Sequence, residues 1–306
     1  MTGFTRRQAL AATAAMPLAA GLATQANAAA EMKGAAMPQF NRFTLGGFEV
    51  TTLLGGTATR GEPQSIFGMN VSAEEFADVS HSNFIPTDAA QFFFTPTVVN
   101  TGAELILFDT GLNPAATTEV LGAAGYGADQ VDTVVITHMH GDHIGGLMGD
   151  GGETFTNARY VTGAAEHNHW SQTDSESFAA KVAPLNDKMS FLDDGGSVAS
   201  GVTAMAAFGH TPGHMAYRIE SDGAQVVLFA DLANHYVWSL AYPDWEVLFD
   251  MDKSAAAATR RRVLGMLAAD RIPFIGYHMP FPALGFVDTR DDGFHYVPAS
   301  YQMMLG

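Results

Sequence analysis

The chain has 306 residues, 47% of them hydrophobic, enough for one large domain or two small ones to bury a sizeable core. Its 15 Lys+Arg stand against 32 Asp+Glu, and a net charge of −17 argues against nucleic-acid binding, which needs a basic surface, and disfavours adsorption to anionic membranes. No cysteine is present, which removes disulfides, thiolate nucleophiles and Cys-ligated metals together. Catalysis is left to oxygen and nitrogen groups, or to a metal that they hold.

The N-terminus reads as an address. Arg6 and Arg7 precede an apolar run from Ala9 to Ala23, shorter than the roughly 20 residues that span a bilayer. Ala26-Asn27-Ala28 follows as a small-x-small cleavage site. Residues 1–28 are therefore expected to be a signal peptide of the twin-arginine type, removed on export, with an ordinary secretory signal or an uncleaved anchor as the alternatives. The mature protein is expected in the periplasm or outside the cell, free of the membrane. Residues 29–41 read as a linker and 42–306 as a single domain.

Arg42–Leu45 and Phe48–Leu54 read as strands around the Gly46-Gly47 turn. From Gly55 to Pro96 the pattern is irregular, apart from a short helix opened by the Ser72-x-x-Glu75 capping box. Thr97–Asn100 and Glu104–Asp109 pair around Thr101-Gly102. Asn113-Pro114 starts a helix running to about Ala124, with asparagine as N-cap and proline at N1. Val131–Thr137 is a β-branched strand that ends at a histidine. Gly163–Trp170 and Ser175–Asn186 read as helical. Val202–Phe208, Met215–Glu220 and Gln225–Asp231 read as strands, the last two joined through Ser221-Asp222-Gly223-Ala224. Lys253–Asp270 is an alanine-rich helix, Ile272–Tyr277 a strand again ending at a histidine, and Asp291-Asp292-Gly293 a last hairpin turn. Strands interleaved with helices in two similar halves predict one layered α/β domain.

The chemistry concentrates in Thr137-His138-Met139-His140-Gly141-Asp142-His143-Ile144-Gly145-Gly146. Imidazole and carboxylate hold zinc and similar ions without thiolates. In an extended segment His138 and His140 project to one side, and Gly141 lets the chain turn so that Asp142 and His143 face a second ion. Gly209-His210-Thr211-Pro212-Gly213-His214 places a histidine on a Pro-Gly turn after a strand, Val226–Asp231 ends an apolar strand in a carboxylate, and Gly276-Tyr277-His278 repeats the strand-then-histidine pattern. His167-x-His169 imitates the metal pair, but residues two apart on a helix do not face each other. His210 reads as ordering its turn, with support of a ligand from behind as the alternative, and His81, His235 and His295 as structural or solvated.

Together these segments resemble the metallo-β-lactamase superfamily, marked by His-x-His-x-Asp-His and a distant His, Asp and His. Within it the chain is similar to the methyl parathion hydrolases and the N-acyl-homoserine lactonases. Leu105–Gly111, Thr137–Met148, Gly209–His214 and Phe294–Tyr301 carry the likeness, which covers roughly Phe43 to Tyr301. It implies a four-layer αβ/βα sandwich with two divalent ions at one edge, zinc first, with manganese, cobalt or iron as alternatives. Carried over residue by residue, His138, His140 and His214 hold one ion, Asp142, His143 and His278 the other, and Asp231 and a hydroxide lie between them. Asp109 resembles the aspartate that holds a ligand histidine by its other nitrogen. Trp170 and Phe178 match aromatic pocket positions of the parathion hydrolases. Phe67, Phe84 and Phe93 from the long loop, and Tyr236, complete the expected substrate pocket.

The departures shape the substrate reading. A bridging Asp231 argues against the all-His/Asp β-lactamases. Bacillus-type lactonases place a tyrosine where Asn234 stands, and the parathion hydrolases a proline where Gly141 stands. The expectation is a metal-dependent hydrolase in which Asp142 and Asp231 serve the chemistry and lactones, above all N-acyl-homoserine lactones, are opened in quorum quenching. A phosphotriesterase is the alternative; a thioesterase, a β-lactamase or a non-catalytic metal-binding protein ranks below it. The expected partner is a small-molecule lactone or ester, with no nucleic acid, and a homodimer is the expected assembly if the chain is not a monomer. If residues 1–28 form an export signal, N-terminal sequencing of periplasmic protein returns Ala29 first; a cytoplasmic product that retains Arg6 and Arg7 contradicts it.

Overall fold

The computed structural model describes residues 30–304, so the expected signal peptide lies outside the described residues. Residues 30–37, the described part of a first unit ending at Met37, have no regular secondary structure. The second unit begins at Pro38, and its first strand starts two residues before the expected domain boundary.

The first half contains β1 (Phe40–Leu45), β2 (Phe48–Leu53), β3 (Gly56–Gly61), α1 (Ala73–Ser82), β4 (Ala89–Phe94), β5 (Thr97–Asn100), β6 (Leu105–Phe108), α2 (Pro114–Ala123) and β7 (Thr133–Ile136). The one-turn α3 (Gly141–Ile144), the short β8 (Met148–Gly149) and β9 (Gly152–Glu153), β10 (Arg159–Gly163), α4 (Ala164–Trp170), α5 (Glu176–Lys181) and β11 (Met189–Leu192) follow. The second half contains β12 (Ser197–Ala199), β13 (Val202–Ala206), β14 (Met215–Ser221), β15 (Ala224–Ala230), α6 (Lys253–Asp270), β16 (Phe274–Gly276), β17 (Leu284–Arg290) and β18 (Gly293–Pro298). The caps expected from sequence are formed: the Ser72 side chain accepts from Glu75 N, and that of Asn113 from Ala116 N. The expected helix Ser175–Asn186 divides at Val182, and its second part is a 3-10 helix entered through Pro184.

Two seven-stranded sheets, ordered β1-β2-β5-β6-β7-β10-β11 and β12-β13-β14-β15-β16-β17-β18, face each other. Strand alternation sorts the apolar side chains of the first sheet. Val50, Val99, Ile106, Phe108, Val135 and Val161 join the second sheet in the central core. Leu53, Val98, Leu105, Leu107, Val134, Ile136 and Tyr160 face the other way and pack with Val120 and Leu121 of α2. On the second sheet, α6 contributes Val263, Leu264 and Leu267 to the central cluster. The result is the four-layer αβ/βα sandwich.

Within this frame β6, β7 and β10 run parallel, as do β15 and β16. Parallel strands bring their C-terminal ends to one edge, where an open α/β sheet ordinarily places its ligands. Asp109 follows β6, His138 follows β7, Asp231 follows β15 and His278 follows β16, so four chemistry-bearing residues arrive at the same edge. The turn after the histidine motif lies flush on the loop after β6. A Cβ at Gly146 would collide with Thr110 O, and one at Gly145 with Leu112 O, so only glycine permits this close approach.

The stretch from Gly55 to Pro96 differs from its irregular reading. β3 and β4 pair antiparallel from Gly56↔Phe94 to Gly61↔Ala89 and form a two-stranded ribbon beside the site. Among the described residues no helix is long and apolar enough to cross a membrane.

Candidate metal centre

His138, His140 and His143 come from one segment, and its conformation is held from outside. The Asp109 carboxylate is buried and accepts three hydrogen bonds: from Thr137 N and Thr137 Oγ1, both at 2.8 Å, and from His143 Nδ1 at 2.8 Å. Asp109 itself sits at φ 57°, a left-handed conformation that aspartate tolerates better than most residues. Donation from His143 Nδ1 leaves its Nε2 as the atom facing the site. The expected pairing of Asp109 with a histidine is thus present in the geometry, with His143 as the partner.

Three groups of nitrogen and oxygen atoms converge: His138, His140 and His210; His138, His143 and Asp231; and Asp142, His143 and His278. In the first, His210 Nε2 lies 3.0 Å from His140 Nδ1 and 3.2 Å from His138 Nε2, while the latter two atoms are 3.2 Å apart. In the last, His278 Nε2 is 3.3 Å from Asp142 Oδ2 and 3.1 Å from Asp231 Oδ2. Asp231 stands between the two, with Oδ1 3.2 Å from His143 Nε2 and Oδ2 3.4 Å from His210 Nε2.

One ligand expectation is corrected here. His214 does not join the first group; His210 does. The His214 ring is spanned by two backbone partners, with Nδ1 3.1 Å from Ala207 O and Nε2 accepting from Asp231 N at 3.1 Å. It braces the loop and the end of β15, and has no ring nitrogen left for an ion.

The donor set fits a divalent cation on observations internal to the structure. His143 Nε2 and Asp231 Oδ1 are buried without a hydrogen-bond partner, and three imidazole nitrogens crowd within 3.2 Å of one another. Unsatisfied buried polar atoms cost about 1–3 kcal/mol each, and a shared cation would satisfy all of them. Nitrogen and carboxylate oxygen without sulfur suit zinc and its neighbours.

The electrostatics divide the site. Burial, reinforced by neighbouring imidazoles, keeps His138 far below the ordinary histidine range and brings His140 down to about 3, so both rings are neutral with lone pairs available. Burial opposes ionisation of Asp231, but the His278 and His143 imidazoles outweigh it and hold the carboxyl well below its usual range. Asp142 falls to about 2, burial again being outweighed, here by His143 and by the hydrogen bond from His278. His278 rises to about 10 because Asp231 and Asp142 overcome its desolvation. Burial likewise opposes protonation of His143, but Asp231, Asp109 and Asp142 outweigh it and hold the ring well above its usual range, so without an ion this half balances its carboxylates with protons on His143 and His278 that a cation would displace.

A buried glutamate missed in the sequence ties the two histidine loops together. Glu166 of α4 accepts from Met139 N at 2.9 Å and Trp170 Nε1 at 2.6 Å through Oε1, and from Thr211 Oγ1 at 2.7 Å and Gly213 N at 2.9 Å through Oε2. It lies at the start of a helix in a neutral-looking Ala-Ala-Glu stretch, where only its later burial marks it. Tyr277 adds a further clamp by donating from its hydroxyl to Asp142 O at 2.6 Å.

Beside the centre lies a cavity of about 370 Å³ lined by Ala58, Arg60, Phe92, Phe94, Leu112 and Phe249, with His140, Asp142, Asp231 and His278 at its floor. None of the aromatics expected from sequence lines this cavity. Phe67 is fully buried against Phe92 and Trp238, Phe84 is 97% exposed, and Phe178 is the residue by which α5 packs into the core. Trp170 is fixed by Glu166, its ring edge-on to His140 at 5.9 Å. Phe93 and Tyr236 line a second cavity of about 430 Å³ together with His235 and with His278, which borders both cavities. Alternation along β4 explains the split: Phe92 and Phe94 point one way and Phe93 the other.

The chain matches the model of the metallo-beta-lactamase superfamily over residues 95–273, more than half its length, and belongs to that superfamily. Among solved structures it is similar to AidC, a dizinc quorum-quenching lactonase in complex with a product, N-hexanoyl-L-homoserine. Identity is 26% over 86% of this chain and 98% of that one, with a TM-score of 0.79. The hydrolase AbOPH of the beta lactamase superfamily is similar at 22% identity over 88% of this chain and all of that one, TM-score 0.81. A mutant of B. thuringiensis AiiA with N-decanoyl-L-homoserine at its active site shares the fold at 17% identity, covering 79% and 99% of the two chains, TM-score 0.59. No curated protein matches the chain.

Glu166 offers a direct test of how the loops are held. All four groups around it are donors, so Glu166→Gln would point an NH₂ at two of them, while a carboxylate accepts from all. Urea denaturation should show a loss of about 2–4 kcal/mol. A midpoint unchanged from the parent would contradict the bridging role.

Proposed function

We propose that the protein is a metal-dependent lactonase that opens N-acyl-homoserine lactones. The observation that carries this reading is the convergence of His138, His140, His210, Asp142, His143, His278 and Asp231 at the floor of a cavity with apolar walls. Likeness to AidC, the one of these three neighbours above a quarter identity, supports it.

In this reading His138, His140 and His210 hold one divalent ion, Asp142, His143 and His278 a second, and Asp231 lies between them. Bound there, such ions would lower the pKa of water toward about 7 and polarise a substrate carbonyl. The chain's own residues do the rest. Asp109 and Phe93 O fix His143 and His278 through their Nδ1 atoms, so that each Nε2 faces inward. Asp142, ionised and 24% exposed at the cavity floor, can take on Oδ2 the proton that the attacking water gives up and return it to the alkoxide released on ring opening. Phe92, Phe94, Leu112 and Phe249 exclude water and give an acyl chain about 0.8 kcal/mol per buried methylene. Arg60 is the one arginine or lysine lining the cavity, and its fork can donate to the amide oxygen of an acyl-amino lactone.

The expected outcome is a kcat/KM that rises with acyl length over several carbons in a lactone series and exceeds that for a phosphotriester at equal metal loading. Phe92→Ala and Phe94→Ala should flatten the rise with metal content unchanged, and Asp231→Asn should lower turnover at least ~10-fold. Faster triester cleavage, or no dependence on chain length, would instead favour the phosphotriesterase.

A further inference from the structure

Behind the first histidine group, on the far nitrogen of His210, lies a chain of buried polar groups that the chemistry above does not use. His210 Nδ1 lies 3.1 Å from Asp250 Oδ1, and Asp250 Oδ2 accepts from Arg260 Nη1 at 2.6 Å. Arg260, fully buried on α6, also donates to Pro243 O at 2.8 Å and Trp245 O at 3.2 Å. The backbone repeats the link: Met251 N donates to His210 O at 3.0 Å and Asp252 N to Gly209 O at 2.9 Å. His210, Asp250 and Arg260 are each at most 2% exposed.

We propose that Asp250, anchored by Arg260, is a positioning residue that fixes His210 as the Nδ1–H tautomer and aims its bare Nε2 at His138 and His140. A carboxylate accepts and never donates, so the nitrogen facing it must carry the proton. The lone pair is then left on Nε2, the atom 3.0–3.2 Å from the other two histidines. A hydrogen-bonded carboxylate also raises the basicity of an imidazole toward a cation. Arg260 supplies the counter-charge that lets the carboxylate sit in the interior, since one member of a buried pair left alone is strongly destabilising. Phe249, the residue before Asp250, lines the cavity, so the anchor that sets His210 also sets one wall beside the reacting groups.

This inference rests on the metal-centre reading, and the two can fail separately. The experiment titrates metal-free mature protein with Zn²⁺ against a competing chromophoric chelator, for wild type, D250N, H210A and the double variant. If the wild type binds no zinc, the metal centre itself is wrong. Given a binding wild type, D250N should weaken one zinc step by about 10- to 100-fold and leave the other within about 3-fold. Added to H210A it should cause less than about a 2-fold further loss, because the two residues act through one contact. A full additional loss in the H210A background overturns the proposal. So does unchanged affinity with a lowered melting temperature, which would make Asp250–Arg260 a structural ion pair only. Should D250N fail to fold, ¹⁵N imidazole spectra of the metal-free wild type decide: Nδ1 protonated and Nε2 bare is expected for His210, and the opposite tautomer overturns it.

Discussion

Asp231 concentrates the central problem of this structure, because a carboxylate 2% exposed to solvent stands within 3.9 Å of four imidazoles. A charge removed from water needs compensation of several kcal/mol. Here it comes partly from within: Asn234 Nδ2 donates to Oδ2 at 2.8 Å, and His143 and His278, both raised above the usual histidine range, carry opposing charge. Oδ1, however, has no hydrogen-bond partner, and neither has the Nε2 of His143. The two atoms face each other across 3.2 Å, and a divalent cation held by the surrounding donors would satisfy both.

Those donors are held by an outer ring of fixed groups. Asp109, Asp250 and Phe93 O each take the far nitrogen of a different histidine, and Glu166 ties the loop carrying His140 to the loop carrying His210. The groups come from different elements, so the ring exists only once both sheets have packed. Preorganisation of this kind explains why the inward-facing atoms converge: each side chain is held from behind. The sheets contribute by bringing the C-terminal ends of β6, β7, β15 and β16 to one edge.

What was legible in the sequence was local. The motif from His138 to His143 can be read because its ligands are close in sequence and follow a short β-branched strand. The caps at Ser72 and Asn113, the hairpin turn at Asp222 and the span of α6 were legible for the same reason. His210 and His214 were not separable in this way, since both flank the same Pro-Gly turn. The choice between them is made by distant partners: Asp250 holds the Nδ1 of His210 from behind, while Ala207 O and Asp231 N take both nitrogens of His214. The β3–β4 ribbon was hidden because Gly-Thr-Ala-Thr-Arg-Gly offers no apolar alternation and its partner lies beyond a helix. Its pairing decides that Phe92 and Phe94, and not Phe93, face the centre. Glu166, Asp250 and Arg260 carry no local mark at all; burial alone sets them apart.

The most direct test of the central claim is anomalous diffraction at the zinc edge from crystals of metal-replete protein. The account predicts two peaks, one against His138, His140 and His210 and one against Asp142, His143 and His278, with Asp231 between them. A peak against His214, or density at neither group, would contradict it.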